Sequence, residues 1–432
     1  MSYDVAIIGA GIGGIHCAIE LKKIGLNPIL IEKEPYIGGM AVKIGKCFPN
    51  QDCASCISDD GYITKTQGIR KCLYKMKLDD DFKFEYFTSS KIIKINKIEN
   101  KYAIKLFIKP KFINNDCNNC GLCINACPNS IDDSFNFNWT KKKAIFLPFQ
   151  NCVPNKLVID RLNCIDCNEE CAKVCPKNAI DLKAKEQILE IKVKYLVISS
   201  GFQEFDAKRI NEYGFSLHKN VITQLQVARM LDSTNSTKGQ ILKPSDWKKP
   251  KNALIILCVG SRDFRYNEYC SGICCSYSLK HAIELRNQDI DVTISYIDLR
   301  LQEDAFFYLK EAREKKINFI NRKVARIEED HETKKLYVAI EQSDNNKELV
   351  FDLVILTPAL VPSNNIEFLV NLGIKSDKYG FIHVDEWGFQ GTNSQIENIF
   401  SIGCIDGPKN IPQTILQARA IAFSILSKER DN

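Results

Sequence analysis

The first apolar run is short and unbroken. Residues 4–8 (DVAII) are followed at once by glycine, the pattern of a buried strand. After Gly9-Ala10-Gly11-Ile12-Gly13-Gly14 the spacing changes, and Ile15, Ala18, Ile19 and Leu21 follow a helical period. A second run, Pro28–Ile31, ends at the acid Glu32. Strand, helix and strand therefore follow one another at the start of the chain. Further apolar runs predict a strand-rich stretch over 91–108 and strands at 195–198, 253–260 (ALIILCVG) and 398–402. The pattern is that of an α/β chain built on parallel sheets. No apolar run approaches the roughly 20 residues of a membrane helix. The opening, MSYDVAIIGAGIGG, lacks the basic region and cleavage site of a secretory leader.

The turn after the first strand carries chemistry. Glycines 9, 11 and 14 form G-x-G-x-x-G, and Glu32 lies 23 residues beyond the first of them. In such a unit Gly9 permits the tight turn, Gly11 lets a pyrophosphate approach the backbone, and Gly14 allows close helix–strand packing. Gly13 lies in the same turn, and the helix N-terminus faces the phosphates. Glu32, with Lys33 beside it, is placed at the ribose. Three further features favour FAD over NAD. Gly38-Gly39 follows Glu32 closely, as in two-dinucleotide flavoproteins, and strand 195–198 ends in Ser199-Ser200-Gly201, which resembles their A-T-G turn. Strand 398–402 ends at Gly403, with Cys404 next and Asp406 two further on, and this segment resembles the second FAD fingerprint of those flavoproteins, whose acid reaches the ribityl chain.

Composition alters this picture through one residue type. The 432 residues include 19 cysteines against 5 histidines, with 45% apolar and 26% charged residues and a formal net charge of +6. A chain of this length buries enough core to fold without disulfides. The cysteines point instead to thiolate chemistry in a reducing compartment, and a cytoplasmic protein is expected. No basic block is long enough to predict nucleic-acid binding.

Eight cysteines form two groups. Cys117, Cys120, Cys123 and Cys127 follow C-x2-C-x2-C-x3-C-P, the bacterial ferredoxin run in which the fourth cysteine ligates the other cluster. Cys164, Cys167, Cys171 and Cys175 repeat it with one extra residue in the middle gap. One [4Fe–4S] cluster is assigned to Cys117, Cys120, Cys123 and Cys175, and the other to Cys164, Cys167, Cys171 and Cys127. The alternative is a pair of zinc sites, which usually use separated cysteine pairs or histidine. No histidine lies between 117 and 175.

The run at 253–260 predicts a second nucleotide-binding unit, but only Gly260 of the expected glycines is present. NAD(P)H binding is therefore not expected. Cys258, Cys270, Cys274 and Cys275 stand there instead. Their spacing leaves open a third cluster, a redox site or buried thiols. Cys53 and Cys56 form a further C-x2-C, while Cys17, Cys47, Cys72, Cys152 and Cys404 are dispersed.

Motifs along nearly the whole chain resemble the A-type subunit of heterodisulfide reductase. They are EKEPYIGGM with FPNQDCASCI, KKKAIFLPFQNCVPNKLVID, GFQEFDA, PSDWKKPK, Cys258 through GSRD to YCSGICCSYSLKHA, ALVPS and GPKNIP. The resemblance implies a thioredoxin-reductase-like, two-dinucleotide-binding-domain flavoprotein with an inserted bacterial-type 2[4Fe–4S] ferredoxin domain. It implies FAD, a non-standard [4Fe–4S] at Cys258, Cys270, Cys274 and Cys275 near the flavin, and a homodimer. It also implies partner subunits that reduce a disulfide, an electron-donor enzyme or ferredoxin, and in some members bifurcation at FAD. Lys280 matches a lysine that the family places near the flavin ring, and Gln226 stands where its acidic partner is expected. Long family members carry an N-terminal cluster domain and a C-terminal ferredoxin. This sequence starts at the FAD strand and ends at Asn432, and so reads as a short form.

The expected organisation is an FAD domain in three pieces (1–110, 186–215 and 357–432), a ferredoxin insert at 111–185 and a second Rossmann-like domain at 216–356. The leading reading is an electron-transfer flavoprotein that works within a larger complex. A self-contained thiol–disulfide oxidoreductase using Cys53 and Cys56, and the flavoprotein of a quinone-linked or sulfur-oxidising complex, are the alternatives. Three clusters at roughly −2 each and FAD at about −2 would offset the formal +6, so the loaded protein is expected near neutral.

Overall fold

The computed structural model describes residues 2–45, 84–150, 152–164, 167–302, 305–341, 348–363, 367–384 and 391–430. The first apolar run is strand β1 (Val5–Ile8), followed by helix α1 (Ile12–Lys23) and strand β2 (Pro28–Ile31). Strand β3 (Tyr195–Ile198) pairs with the free edge of β1. The resulting parallel sheet has the order Ile399–Ser401, β3, β1, β2, Glu85–Phe87. Its three central strands read as continuous apolar runs because both faces are covered. Val5 and Ile7 pack with Ile15, Ala18 and Ile19 of α1 and with Ile421 and Ile425 of the helix Ile411–Arg430. Ala6 and Ile8 point the other way, onto Ile104, Leu106 and Ile191. Those residues belong to an antiparallel sheet of Ser90–Ile98, Lys101–Ile108 and Gln187–Val193.

The second sheet repeats the plan. Helix α2 (Gln224–Met230), strand β4 (Asn252–Val259), helix α3 (Cys274–Asn287) and strand β5 (Leu353–Pro358) are its main elements. Its parallel strands run in the order Val221–Thr223, β5, β4, Asp291–Ser295, Asn318–Ile320. Along β4, Ala253, Ile255 and Leu257 face one core, while Leu254 and Ile256 face the other. Strict alternation would put Val259 with the first set. It lies with the second, because the pairing of β4 with β5 shifts register between Ile256 and Val259. Cys258 occupies this bulge with a left-handed φ of 61°. A bulge inserts one unpaired residue and re-aims the side chains around it.

Residues 111–185 contain two short helices, Leu122–Ala126 and Glu170–Lys173, and two small hairpins. Three of the eight residues in their buried cluster are cysteines, Cys123, Cys127 and Cys171. The remaining apolar side chains form a very small core, of the kind that usually relies on a metal or a disulfide. This segment docks on the loop after β2. Phe135 and Phe149 stack at 5.0 Å, and Tyr36 meets both edge-on. Arg229 of α2 lies 4.8 Å over the Phe135 ring, pairs with Asp232 at 2.8 Å and donates from Nε to Asn136 at 2.7 Å. One buried cation thus joins the insert to the second domain.

Candidate functional site

The glycine turn lies where β1 meets α1, at the end of the parallel sheet at which open α/β folds bind ligands. A Cβ on Gly14 would lie 2.0 Å from the Gly9 carbonyl oxygen, so only glycine allows α1 to pack this closely. A Cβ on Gly39 would lie 2.8 Å from the Gly11 Cα. The Gly38-Gly39 loop therefore closes directly over the turn, and Gly38 N–H donates to the Ala10 carbonyl at 2.7 Å. Gly11 caps α1 without a side-chain hydrogen bond, and no acid occupies the first helical turn. Such a helix start suits an anion.

Glu32 is buried at the end of β2. Its Oε2 accepts from the Ala10 amide at 2.8 Å and its Oε1 from the Glu34 amide at 2.9 Å. Burial raises its carboxyl above the usual range, and the two amides oppose that rise. Lys33 beside it is exposed. Opposite, the turn after β3 brings Ser199 against Gly9 and Gly13. Ser200 Oγ is buried there without a hydrogen-bond partner, and Gly201 has a φ of 72°. Gly403 also has a positive φ, 77°, and its N–H donates to Gln417 Oε1 at 2.8 Å. Asp406 lies in the turn that follows. Its carboxylate accepts from Ser401 Oγ at 2.9 Å, from Gln417 Nε2 at 3.1 Å and from Lys409 Nζ, so it is already engaged in organising this last turn.

In the second domain, the equivalent turn follows β4. A Cβ on Gly260 would lie 2.3 Å from the Phe205 ring, so an aromatic side chain occupies the space beside this glycine. Instead of entering a helix directly, the chain runs through a long loop to α3. Cys258, Cys270, Cys274 and Cys275 gather there, and each sulfur meets a donor. The Arg262 side chain hydrogen-bonds Cys258. Gly272 N–H reaches Cys270 Sγ at 3.3 Å. The Tyr277 hydroxyl bonds Cys274, and the Arg300 amide bonds Cys275. Burial pushes the Cys258 and Cys275 thiols up, and Cys274 to about 12.

Lys280 lies further along α3 and is 1% exposed. Beside it, Gln224 Nε2 donates to Ser278 Oγ at 3.0 Å and to Thr357 Oγ1 at 3.2 Å, while Gln224 Oε1 bonds His281 Nδ1. His281 Nε2 is buried without a partner. Burial, then the Lys280 charge, holds this imidazole well below its usual pKa, so it is neutral. Gln226 forms a capping box with Thr223 at the start of α2. An acid reaches the same turn from elsewhere. Glu204 accepts from Thr223 Oγ1 at 2.8 Å and from Leu225 N–H at 3.3 Å, and burial pushes it up to about 7. No local sequence signal marks Glu204, because a different strand carries it to the helix.

In the insert, one cavity is lined by Cys117, Cys120, Cys123 and Cys175, the last of which comes from the second cysteine group. Ala179 N–H reaches Cys175 Sγ at 3.3 Å. Cys171 is buried and pushed up to about 11, first by burial and then by its neighbours Cys164, Cys167 and Cys127. Among the described residues, no three such groups converge closely enough to hold a single metal ion. A tetrahedral zinc would draw its sulfurs to about 3.8 Å from one another. Cys53 and Cys56 lie outside the described residues. Among the described residues no helix is long and apolar enough to cross a membrane.

Known proteins resemble this chain at two levels. Residues 4–56 match the FAD dependent oxidoreductase family model, which covers β1, the glycine turn, α1 and β2. The A-type subunit of the ferredoxin:CoB-CoM heterodisulfide reductase of Methanosarcina acetivorans is 32% identical over 98% of this chain and 57% of its own length. The A-type iron-sulfur subunit of the CoB–CoM heterodisulfide reductase of Methanocaldococcus jannaschii is 32% identical over 97% of this chain and 63% of its own. The chain belongs to the family of heterodisulfide reductase A-type subunits. It spans about 57% to 63% of the length of these two relatives. The fold is that of thioredoxin reductase. The thioredoxin reductase of T. acidophilum superposes with a TM-score of 0.53 at 14% identity over 99% of both chains. The Lactococcus lactis enzyme gives 0.52 at 15% identity, over 99% of this chain and 98% of its own. This heterodisulfide reductase family member therefore keeps both nucleotide-binding folds.

Proposed function

We propose that this heterodisulfide reductase family member relays electrons between FAD, held by the first domain, and [4Fe–4S] clusters held by three sets of four cysteines. The observation that carries the reading is the second turn. Where a second dinucleotide would lie, Phe205 fills the space beside Gly260 and four thiols stand, each facing a hydrogen-bond donor. Donors aimed at sulfur stabilise thiolates and tune the potential of a metal they bind. NAD(P)H is therefore not the expected reductant. Electrons would come from the other subunits of a heterodisulfide-reductase-like complex or from ferredoxin, and would leave towards disulfide reduction on partners.

The chain's own residues fit these groups. The α1 N-terminus and the glycine cradle bind the pyrophosphate, Glu32 orients the ribose, and Ser200 Oγ is a buried hydroxyl left for the cofactor. Cys117, Cys120, Cys123 and Cys175 share one cavity, the set expected from ferredoxin-type crossing of ligands. When bound, the flavin supplies two-electron to one-electron switching and the clusters supply one-electron relay. Glu204, protonated below about pH 7, holds a proton at the start of α2. The buried thiols must lose protons to bind metal, so loading is favoured at higher pH.

Protein purified without oxygen is expected to hold about one FAD and iron equivalent to three clusters per chain. Cys258→Ala should lower the iron by about one cluster. Iron for two clusters only, unchanged by that substitution, would refute the second-turn reading. Rapid stoichiometric bleaching of the flavin by NADH or NADPH alone would refute the exclusion of pyridine nucleotide.

A further inference from the structure

We infer that Arg262 is a positioning residue that sets the reduction potential of the second-turn cysteine site, with Asp298 as its counterweight. The inference rests on that site holding a cluster. Arg262 sits in the left-handed region at a φ of 56°, an unfavourable conformation for a non-glycine residue. Its N–H donates to the Tyr269 carbonyl at 3.0 Å, which ties the loop to its own return. From this backbone the guanidinium hydrogen-bonds Cys258 and lies near Cys275. Asp298 grips the same guanidinium by an ion pair. It also meets the site directly, because Cys275 Sγ lies 4.0 Å from the Asp298 carbonyl oxygen. Arg300 Nε reaches the other Asp298 oxygen at 3.4 Å.

The consequence is electrostatic. Gly272 N–H, the Tyr277 hydroxyl and the Arg300 amide are neutral dipoles, whereas Arg262 brings a full charge to Cys258. Charge-assisted hydrogen bonds are about twice as strong as neutral ones. Adding one electron to a thiolate-held cluster makes it more negative, and a fixed cation stabilises that form more than the oxidised one. Arg262 therefore raises the potential, and the Asp298 carboxylate opposes part of that effect. The insert offers a contrast. Arg161 also hydrogen-bonds a cysteine, Cys164, but it is exposed, so solvent screens it more.

The test is a potentiometric titration of the intact protein followed by electron paramagnetic resonance, with iron content measured in parallel. Arg262→Gln should move the midpoint of one cluster negative, with about a tenfold change in its reduced-to-oxidised ratio at fixed potential, or about 59 mV. Arg262→Lys, which keeps the charge, should recover most of that shift. Asp298→Asn should move the same midpoint positive. A merely structural role would not give opposite signs. An unmoved midpoint with full iron content, or shifts of the same sign from Arg262→Gln and Asp298→Asn, would overturn the inference. If Arg262→Gln loses the site's iron, the Asp298→Asn shift decides: positive upholds it and none overturns it. Wild-type iron equivalent to two clusters would instead sink the cluster reading itself.

Discussion

The two glycine-bearing turns of this chain stand at matching places in matching sheets, yet they are built differently. β1 runs straight into its turn with unbroken alternation, and α1 starts four residues after the strand ends. The space above the turn is bounded by backbone, with Gly39 against Gly11 and Gly14 against Gly9. β4 breaks its alternation at Cys258, and α3 starts fifteen residues after the strand ends. The space beside Gly260 is filled by Phe205, itself held by Tyr266 at 5.1 Å and by Arg209. The same fold thus gives a turn walled by backbone in one domain and a turn lined by an aromatic ring and four thiols in the other. Sites are grafted on folds, so matching sheets do not require matching turns.

The sharpest way to break this comparison is to add one methyl group to each turn. Gly14→Ala places its Cβ 2.0 Å from the Gly9 carbonyl, where only backbone can yield. A loss of about 3 kcal/mol or more and loss of bound FAD are expected. Gly260→Ala meets the Phe205 ring at 2.3 Å in a left-handed backbone. It should cost about 1–3 kcal/mol while FAD is retained. Thermal unfolding and flavin absorbance after desalting read both. If Gly260→Ala strips FAD as completely as Gly14→Ala does, the two turns are not functionally distinct.

The next effect concerns Glu204, on the strand Phe202–Glu204 that pairs with Leu360–Pro362. Its native carboxyl is raised to about 7, mainly by burial, against about 4.3 in an unfolded chain. Between those values the native state binds more protons than the unfolded state. Stability contributed by protonated Glu204 is therefore full below about pH 4 and falls as pH rises through 7, by up to about 4 kcal/mol. Glu204→Gln should remove that slope. Denaturant unfolding of both proteins from pH 5 to 8 measures it, and a wild-type profile rising across that window relative to the variant would contradict the burial of this acid.

Legibility in the sequence divides along the same line as the two turns. The first cradle is readable because its chemistry is local. Glycines, helix and Glu32 fall within one strand–helix–strand unit, and the structure brings them together at Ala10. In the insert, the spacing anticipates one placement: Cys175 of the second group lines a cavity with Cys117, Cys120 and Cys123. What is not readable depends on register between distant strands. The bulge at Cys258 arises from pairing with β5, about a hundred residues away. Phe205 and Glu204 reach the second domain from the connecting strand, and no period in the sequence marks them. Gln226 suggests a lost acid, but Glu204 supplies a carboxyl to the same helix start. Asp406 suggests a ribityl contact, but Ser401, Gln417 and Lys409 already engage it. In each case the sequence marks the residue, and only the fold shows which neighbours it meets.

The smallest expected effect on folding is also the most discriminating test of the cradle. Gly11 has an ordinary φ of −77°, and a Cβ there would find no atom nearer than the Gly39 Cα at 3.9 Å. Unlike Gly14, it is not required by the packing of the protein alone. If the reason for glycine at 11 is the approach of a pyrophosphate, Gly11→Ala should leave the flavin-free protein within about 0.5 kcal/mol of wild type, the usual range for an uncrowded position. The same methyl should weaken FAD binding at least tenfold, because it stands between the phosphate and the amides of the α1 start. Unfolding of the flavin-free protein and FAD titration by fluorescence quenching separate the two. Equal FAD affinity would move the phosphate away from Gly11 and leave the cradle a packing device. A destabilised flavin-free protein would show instead that the turn is tighter than its 3.9 Å clearance allows.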